Sequence, residues 1–179
     1  EWLTFEDGTL SRGVYWDLSF PAEPGLPENE NDLAALLWER LREAVRLRLV
    51  SDVPLGVFLS GGIDSTTVVA LMASLMPAKD IKTFSVGFEN KSFDESNHAR
   101  EVARHFGTDH RERILEPQAM LDLVPGILGS MGEPLGDASL IPTYLLAEFT
   151  RRHVAVALGG DGGDELLLGY PTFQAHRLA

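Results

Sequence analysis

Two runs of consecutive apolar residues stop abruptly at glycine-rich loops, and helical spacing follows each loop. The first run is Leu55-Gly56-Val57-Phe58-Leu59, followed by Ser60-Gly61-Gly62-Ile63-Asp64-Ser65-Thr66. The second is Val154 to Leu158, followed by Gly159-Gly160-Asp161-Gly162-Gly163-Asp164-Glu165. A strand with one wet face alternates polar and apolar residues, so the unbroken first run reads as a strand covered on both faces, and the second run reads as a further strand. That requires a sheet lying between helical layers.

The rest of the chain agrees. Leu33, Leu36, Leu37, Leu41, Ala44 and Val45 recur at helical spacing from Asn31 onward. Helices are expected over Asp64–Met76, Glu95–Phe106 with Gly107 as its stop, Pro117–Met131 with a kink or break at Pro125, and Ser139–Arg152. Strands are expected over Ile81–Phe88 and His110–Leu115 between them. Strands alternating with helices of this length give a doubly wound α/β fold, a parallel sheet sandwiched by helices, with ligands bound beyond the carboxyl ends of the strands.

Charge and composition narrow the function. With 27 acidic and 15 basic residues the formal charge is -12, which disfavours nucleic acid and anionic membrane surfaces as partners. The longest stretch free of Asp, Glu, Lys and Arg runs only from Ser65 to Ala78, too short for a membrane span of about 20 residues. The absence of Cys removes disulfides, thiolate metal sites and a cysteine nucleophile, and makes the cytoplasm the expected compartment. Residues 1–30 form an acidic arm, with a hairpin signal at Asp7-Gly8 and a breaker cluster at Pro21, Pro24, Gly25 and Pro27; the globular body is expected over 31–179. Starting at Glu1 rather than Met, the chain is expected to be a piece of a longer protein.

The loops suit an anion and a cation held together. Gly61 and Gly62 let the backbone turn sharply and approach a ligand, the following helix offers free N–H groups, and Ser60, Ser65 and Thr66 add hydroxyls. Three neighbouring carboxylates in the second loop repel one another unless a cation offsets them. Magnesium takes one or two protein carboxylates together with substrate phosphates, so Asp64 and Asp164 are the natural pair, provided that the first and fourth strands of the body are neighbours. Taken singly, the first loop is also an ordinary strand-to-helix connection, and the second an acidic surface turn. Several other chemistries are excluded. Gly62-Ile63 stands where a Walker A loop needs Lys-Ser, no G-x-S-x-G elbow surrounds Ser60, no dinucleotide-binding G-x-G-x-x-G follows a strand, and the five histidines lack zinc-site spacing.

The segment Val53 to Ser65 closely resembles the pyrophosphate loop of the N-type ATP pyrophosphatases, whose fold is adenine nucleotide alpha hydrolase-like. Thr83 to Phe88, Arg100 to His110, and Gly160 to Glu165 with Gly169-Tyr170 resemble the synthetase domain of the glutamine-hydrolysing asparagine synthetase family. Gly13 to Leu18 looks like the segment that joins the family's glutaminase domain to it. The resemblance implies ATP and Mg2+ as cofactors, with aspartate and ammonia, or glutamine-derived ammonia, as partners. Aspartate's side-chain carboxylate attacks the α-phosphorus of ATP to give β-aspartyl-AMP and pyrophosphate, and ammonia then displaces AMP.

The same resemblance implies that Ser60, Gly61, Gly62, Ile63, Asp64 and Ser65 hold pyrophosphate, that Asp64 and Asp164 hold magnesium, and that Phe58, Val86, Gly159 and Gly160 border the adenosine. Asp161 stands where many members have Glu, and would orient the second step or a nearby lysine. Leu167-Leu168 replaces a common Phe-Gly. The family's N-terminal glutaminase cysteine and its later catalytic lysine do not occur here; a glutaminase domain on the same parent chain is expected, and a homodimer is compatible with the resemblance. A paralogous amide or β-lactam synthetase with another acceptor, and a non-catalytic nucleotide-binding module, are the alternative readings.

Overall fold

The computed structural model describes residues 1–18, 25–89, 94–133 and 135–178. Pro21 and Pro24, part of the breaker cluster read from the sequence, lie outside them. Two compact units cluster separately, Glu1–Leu37 and Trp38–Ala179.

In the first unit, β1 (Trp2–Glu6) and β2 (Thr9–Gly13) pair antiparallel. Asp7 and Gly8 between them have φ of 48° and 80°, the pair of positive angles that a two-residue hairpin of this twist requires. Trp2 lies opposite Gly13, and a Cβ at Gly13 would come within 2.7 Å of its indole, so the glycine gives the ring a seat.

The helix α1 (Glu30–Arg48) leads into the second unit, where β3 (Leu55–Phe58), α2 (Ile63–Ala73), β4 (Lys82–Phe88), α3 (Ser96–Phe106) and β5 (Asp109–Leu115) follow in turn. Then come α4 (Pro117–Ser130), α5 (Leu140–Arg151), β6 (Val156–Leu158), α6 (Gly163–Leu167) and α7 (Pro171–Leu178). The four strands are parallel in the order β5-β4-β3-β6. The chain steps from β3 outward through β4 to β5, then returns to the other side of β3 as β6. Strand order therefore reverses between β3 and β6, and both glycine loops leave the sheet at that point.

Alternation along the strands assigns the two layers. Val57 and Leu59 are fully buried in one cluster with Val69, Leu71 and Met72 of α2, Ala99 and Ala103 of α3, and Val45 of α1. On the other face Phe84 meets Phe149 edge-on at 6.1 Å between ring centres and stacks on His153 at 5.7 Å. Gly56 makes room there: a Cβ on it would lie 2.7 Å from the Phe84 ring. Ion pairs brace both layers to β5, Arg100–Glu112 from α3 at 3.3 Å and Arg113–Glu148 from α5 at 3.2 Å.

The elements follow the expected spacing, with α2 ending at Ala73 rather than Met76 and two further differences. α4 continues through Pro125, because its apolar residues on either side, including buried Ile127, hold one helix together at the cost of a single absent donor. The fourth strand of the body starts at Val156 rather than Val154, because the Val154 amide still donates to Thr150 O at 3.0 Å and closes the preceding helix. Gly107 ends α3 with φ of 78°, as expected of a left-handed cap. No helix among the described residues is long and apolar enough to cross a membrane.

The α3 side of β4 carries an unexpectedly polar layer. Thr83 and Ser85 are buried, and the His110 ring from β5 bridges them, with Nδ1 2.9 Å from Thr83 Oγ1 and Nε2 3.3 Å from Ser85 Oγ. Burial, reinforced by the Arg100 guanidinium, holds the His110 imidazole below its ordinary pKa against the opposing pull of Asp109. In the unfolded chain the ring takes up a proton near a pH of about 6.5. The unfolded state thus binds more protons below that value, and the stability His110 contributes, complete above it, is lost as pH falls through the depressed folded value.

Two outcomes are expected. The denaturation midpoint falls as pH is lowered from about 6.5, and His110→Gln flattens this dependence; a profile unchanged by the substitution contradicts it. Gly61 has φ of 86°, and a Cβ there would lie 2.6 Å from the backbone of His98 and Ala99 on α3. Gly61→Ala is therefore expected to cost about 2 kcal/mol or more in chemical denaturation.

Candidate functional site

A cleft of about 630 Å³ opens where the strands end, and both glycine loops line it. Of the residues singled out from the sequence, Phe58, Ser60, Gly62, Asp64, Ser65, Val86, Gly159, Gly160, Asp161 and Asp164 lie on its wall. Gly61 and Ile63 do not. Gly61 is turned against α3, and the Ile63 side chain is exposed to solvent.

The loops touch through their glycines. A Cβ on Gly160 would lie 2.8 Å from the Ser65 amide nitrogen and 2.9 Å from Asp64 Cβ. One on Gly163 would overlap the Asp64 carboxylate, with both oxygens within 2.7 Å. The Asp64 carboxylate is thereby seated beside the backbone that carries Asp164. The condition set by the sequence, neighbouring first and fourth strands of the body, is met by the β3–β6 pairing of Gly56 with Ala157 and Val57 with Leu158.

The serines of the first loop shape it from within. Ser65, almost fully buried, accepts from the Ser60 amide at 3.2 Å, lies 3.0 Å from Ser60 Oγ and donates to Gly62 O at 3.3 Å. Ser60 Oγ in turn accepts from the Gly62 amide at 3.2 Å. These bonds hold the turn whose open side meets the start of α2, where amide N–H groups lack helical partners.

β4 runs past the end of β3. The Leu59 amide donates to Phe84 O at 2.8 Å, and the Phe88 amide donates out of the sheet to Asp94 Oδ1 at 3.3 Å. Since successive residues of a strand turn their N–H and C=O to opposite edges, Val86 shares the edge of Phe84 and Phe88. Its donor and acceptor therefore point toward the cleft where β3 has ended. The Ser96 hydroxyl and amide, with the Phe88 amide, hold Asp94 below the usual carboxylate range and tie this end of β4 to α3.

Electrostatically the cleft is one-sided. Asp64, Glu95, Asp161, Asp164 and Glu165 line it, and no Lys or Arg does so among the described residues. Tyr170 Oη donates to Glu165 Oε1 at 2.9 Å; that bond and the Glu165 charge raise the phenol's pKa, with smaller contributions from burial, Asp164 and Asp161. Among the described residues no group of three or more His, Asp or Glu side chains is arranged to cage a metal. A cation held by two carboxylates, substrate phosphates and water needs no such cage, so the donor set suits magnesium rather than a stripped structural ion.

The sequence reading passed over Ser85, Glu95, Ser96, Ala99, Leu146 and Tyr170, which also line the cleft. One signal was available: Thr83 and Ser85 place hydroxyls two apart in a strand that should be apolar on both faces.

Comparison with known proteins gives concordant matches. The family model described as asparagine synthase matches residues 36–179. The glutamine-hydrolysing asparagine synthetase 1 of Bacillus subtilis is 34% identical over 94% of this chain, and a putative asparagine synthetase of Methanocaldococcus jannaschii is 42% identical over 74% of it. The amidase chyE of Penicillium rubens is 32% identical over 92%. The chain spans about a quarter of the length of these relatives, 26%, 25% and 27% respectively. In fold it is similar to a glutamine-dependent NAD+ synthetase from Acinetobacter baumannii solved with ADP, at a TM-score of 0.55 and 21% identity over 75% of this chain and 27% of that one. A doubly wound parallel sheet, two glycine loops meeting at its switch point and a family model that matches most of its length together show that the chain belongs to the asparagine synthase family.

Proposed function

We propose that the chain is the nucleotide-binding part of an ATP-dependent amide-forming synthetase, and that its parent adenylates the aspartate side chain and passes ammonia to it. The observation that carries this reading is the contact of Gly160 and Gly163 with Asp64 and Ser65, which gathers anion-binding amides and carboxylates along one cleft with no Lys or Arg on its wall among the described residues.

Each element has a role in the proposed reaction. The loop Ser60 to Ser65 receives the β- and γ-phosphates on backbone amides, and the edge of Val86, with Phe58 and Gly160 beside it, receives the adenine. An acceptor carboxylate oxygen then bonds to the α-phosphorus while the bond from that phosphorus to the pyrophosphate oxygen breaks. Ammonia's nitrogen attacks the acyl carbon, the acyl–oxygen bond to AMP breaks, and the nitrogen gives up a proton, leaving the amide. Asp64 and Asp164 would hold Mg2+, which when bound neutralises charge on the pyrophosphate leaving group. Asp161, at the mouth of the second loop, is assigned to orient the second step. Without a cation the five carboxylates of the cleft repel a triphosphate, so nucleotide binding should depend strictly on the metal.

The reading extends to the parent protein: residues 1–30 as the arm toward a glutaminase domain, 31–179 as part of the synthetase domain, and a cytoplasmic location. A different acceptor acid is the second reading, favoured by the similarity to a relative named as an amidase.

Titration calorimetry of the chain is expected to show ATP binding in millimolar magnesium and a loss of at least about 10-fold in affinity with chelator, since each unpaired close charge costs on the order of 1 kcal/mol or more. Asp64→Asn and Asp164→Asn should each weaken Mg-ATP similarly while leaving the fold intact by circular dichroism. A folded chain indifferent to Mg-ATP speaks against the proposal. For the parent protein, AMP release from ATP and ammonia is expected to require aspartate; turnover with other acids and none with aspartate selects the second reading.

A further inference from the structure

The polar layer beneath α3 reaches the cleft at one residue. Backbone groups of Ser85 turn to the β5 edge, opposite to those of Val86, so Ser85 meets the cleft through its side chain. That hydroxyl sits on the α3 wall with Ser96 and Ala99, one residue before the edge assigned to adenine. Behind it runs a chain of bonds: Ser85 Oγ to His110 Nε2 at 3.3 Å, His110 Nδ1 to Thr83 Oγ1 at 2.9 Å, and Thr83 Oγ1 to Thr108 Oγ1 at 3.0 Å. Thr83 is fully buried and Ser85 nearly so, so a hydroxyl chain here displaces apolar packing that the fold would otherwise use. A neutral imidazole donates from one nitrogen and accepts at the other, so the directions of the two hydroxyls bonded to it are coupled. The His110 ring thereby engages the Ser85 hydroxyl from behind and restricts its rotation where it meets the cleft.

We propose that Ser85 is a specificity-determining contact for the nucleoside half of the nucleotide and that His110 is its positioning residue. The inference rests on reading the cleft as an ATP site and adds to it a polar wall that acts on the nucleoside and not on the phosphates. Pyrophosphate, held by the first loop, should be blind to it.

The test compares two ligands of the same chain in millimolar magnesium, ATP and inorganic pyrophosphate, by calorimetry. Ser85→Ala and His110→Phe are each expected to weaken ATP about 3- to 10-fold, the range of one lost hydrogen bond, and to leave pyrophosphate affinity unchanged. Ser85→Thr and His110→Gln, which keep hydrogen-bonding groups, should recover most of the loss. The double variant should be no weaker than the worse single one, because both act on one contact. Unchanged ATP affinity in folded variants overturns the assignment, as do equal losses for ATP and pyrophosphate, which mark a merely structural role. If the original chain binds pyrophosphate but not ATP, the nucleoside assignment falls; if it binds neither, the nucleotide reading of the cleft falls with it.

Discussion

The contact of the second glycine loop with the start of α2 is the constraint on which the site depends. Gly160 lies so close to the backbone of Asp64 and Ser65, and Gly163 to the Asp64 carboxylate, that a side chain on either would displace Asp64 or Ser65. This approach exists because β6 pairs directly with β3, and that pairing follows from the return crossover after β5. The sheet order, the reversal point and the position of the acids are thus one geometric fact. The core serves it: Val57 and Leu59 on one face of the strand and Phe84 over Gly56 on the other anchor β3, whose end fixes the first loop.

Much of this was legible in the chain. Continuous apolar runs ending in paired glycines identified two strands and the loops that follow them, β3 buried within the sheet and β6 at its edge, and the alternation of strand and helix supplied a parallel sheet. What pattern alone does not show is which strands touch; here the chemistry of the acids demanded that the first and fourth of the body be neighbours, and they are. Pro125 does not break α4, because a proline removes one donor but leaves the apolar stripe around Ile127 able to hold the helix together. The roles of Gly61 and Ser65 were also only half visible. Their composition indicated an anion-binding turn, whereas in the fold Gly61 is fitted against α3 and the Ser65 hydroxyl is occupied in bracing the turn.

Leu168 is a departure whose consequence only the backbone exposes. It has φ of 59°, a left-handed conformation that costs a branched side chain about 1 kcal/mol or more, at the position where the resembled pattern commonly has Gly. The neighbouring Gly169 is pressed against Asp164, and its amide donates to Asp164 O at 2.9 Å. The short helix that carries Asp164 is therefore closed by a strained turn, and the position of that acid is held by the turn as much as by the helix.

The two sides of the cleft differ in what they are made of. Toward the loops it includes Gly160 and Gly163, packed so closely that a Cβ on either would collide with Asp64 or Ser65. Toward α5 it consists of the side chains of Ser139, Pro142, Thr143 and Leu146, which project from or lead into a helix whose backbone is satisfied without them. Evolutionary drift or engineering can therefore reshape that wall, enlarging, shrinking or charging it, while the opposite wall stays rigid; one scaffold can in this way be adapted to a new molecule by exchanging a handful of residues on a single helix.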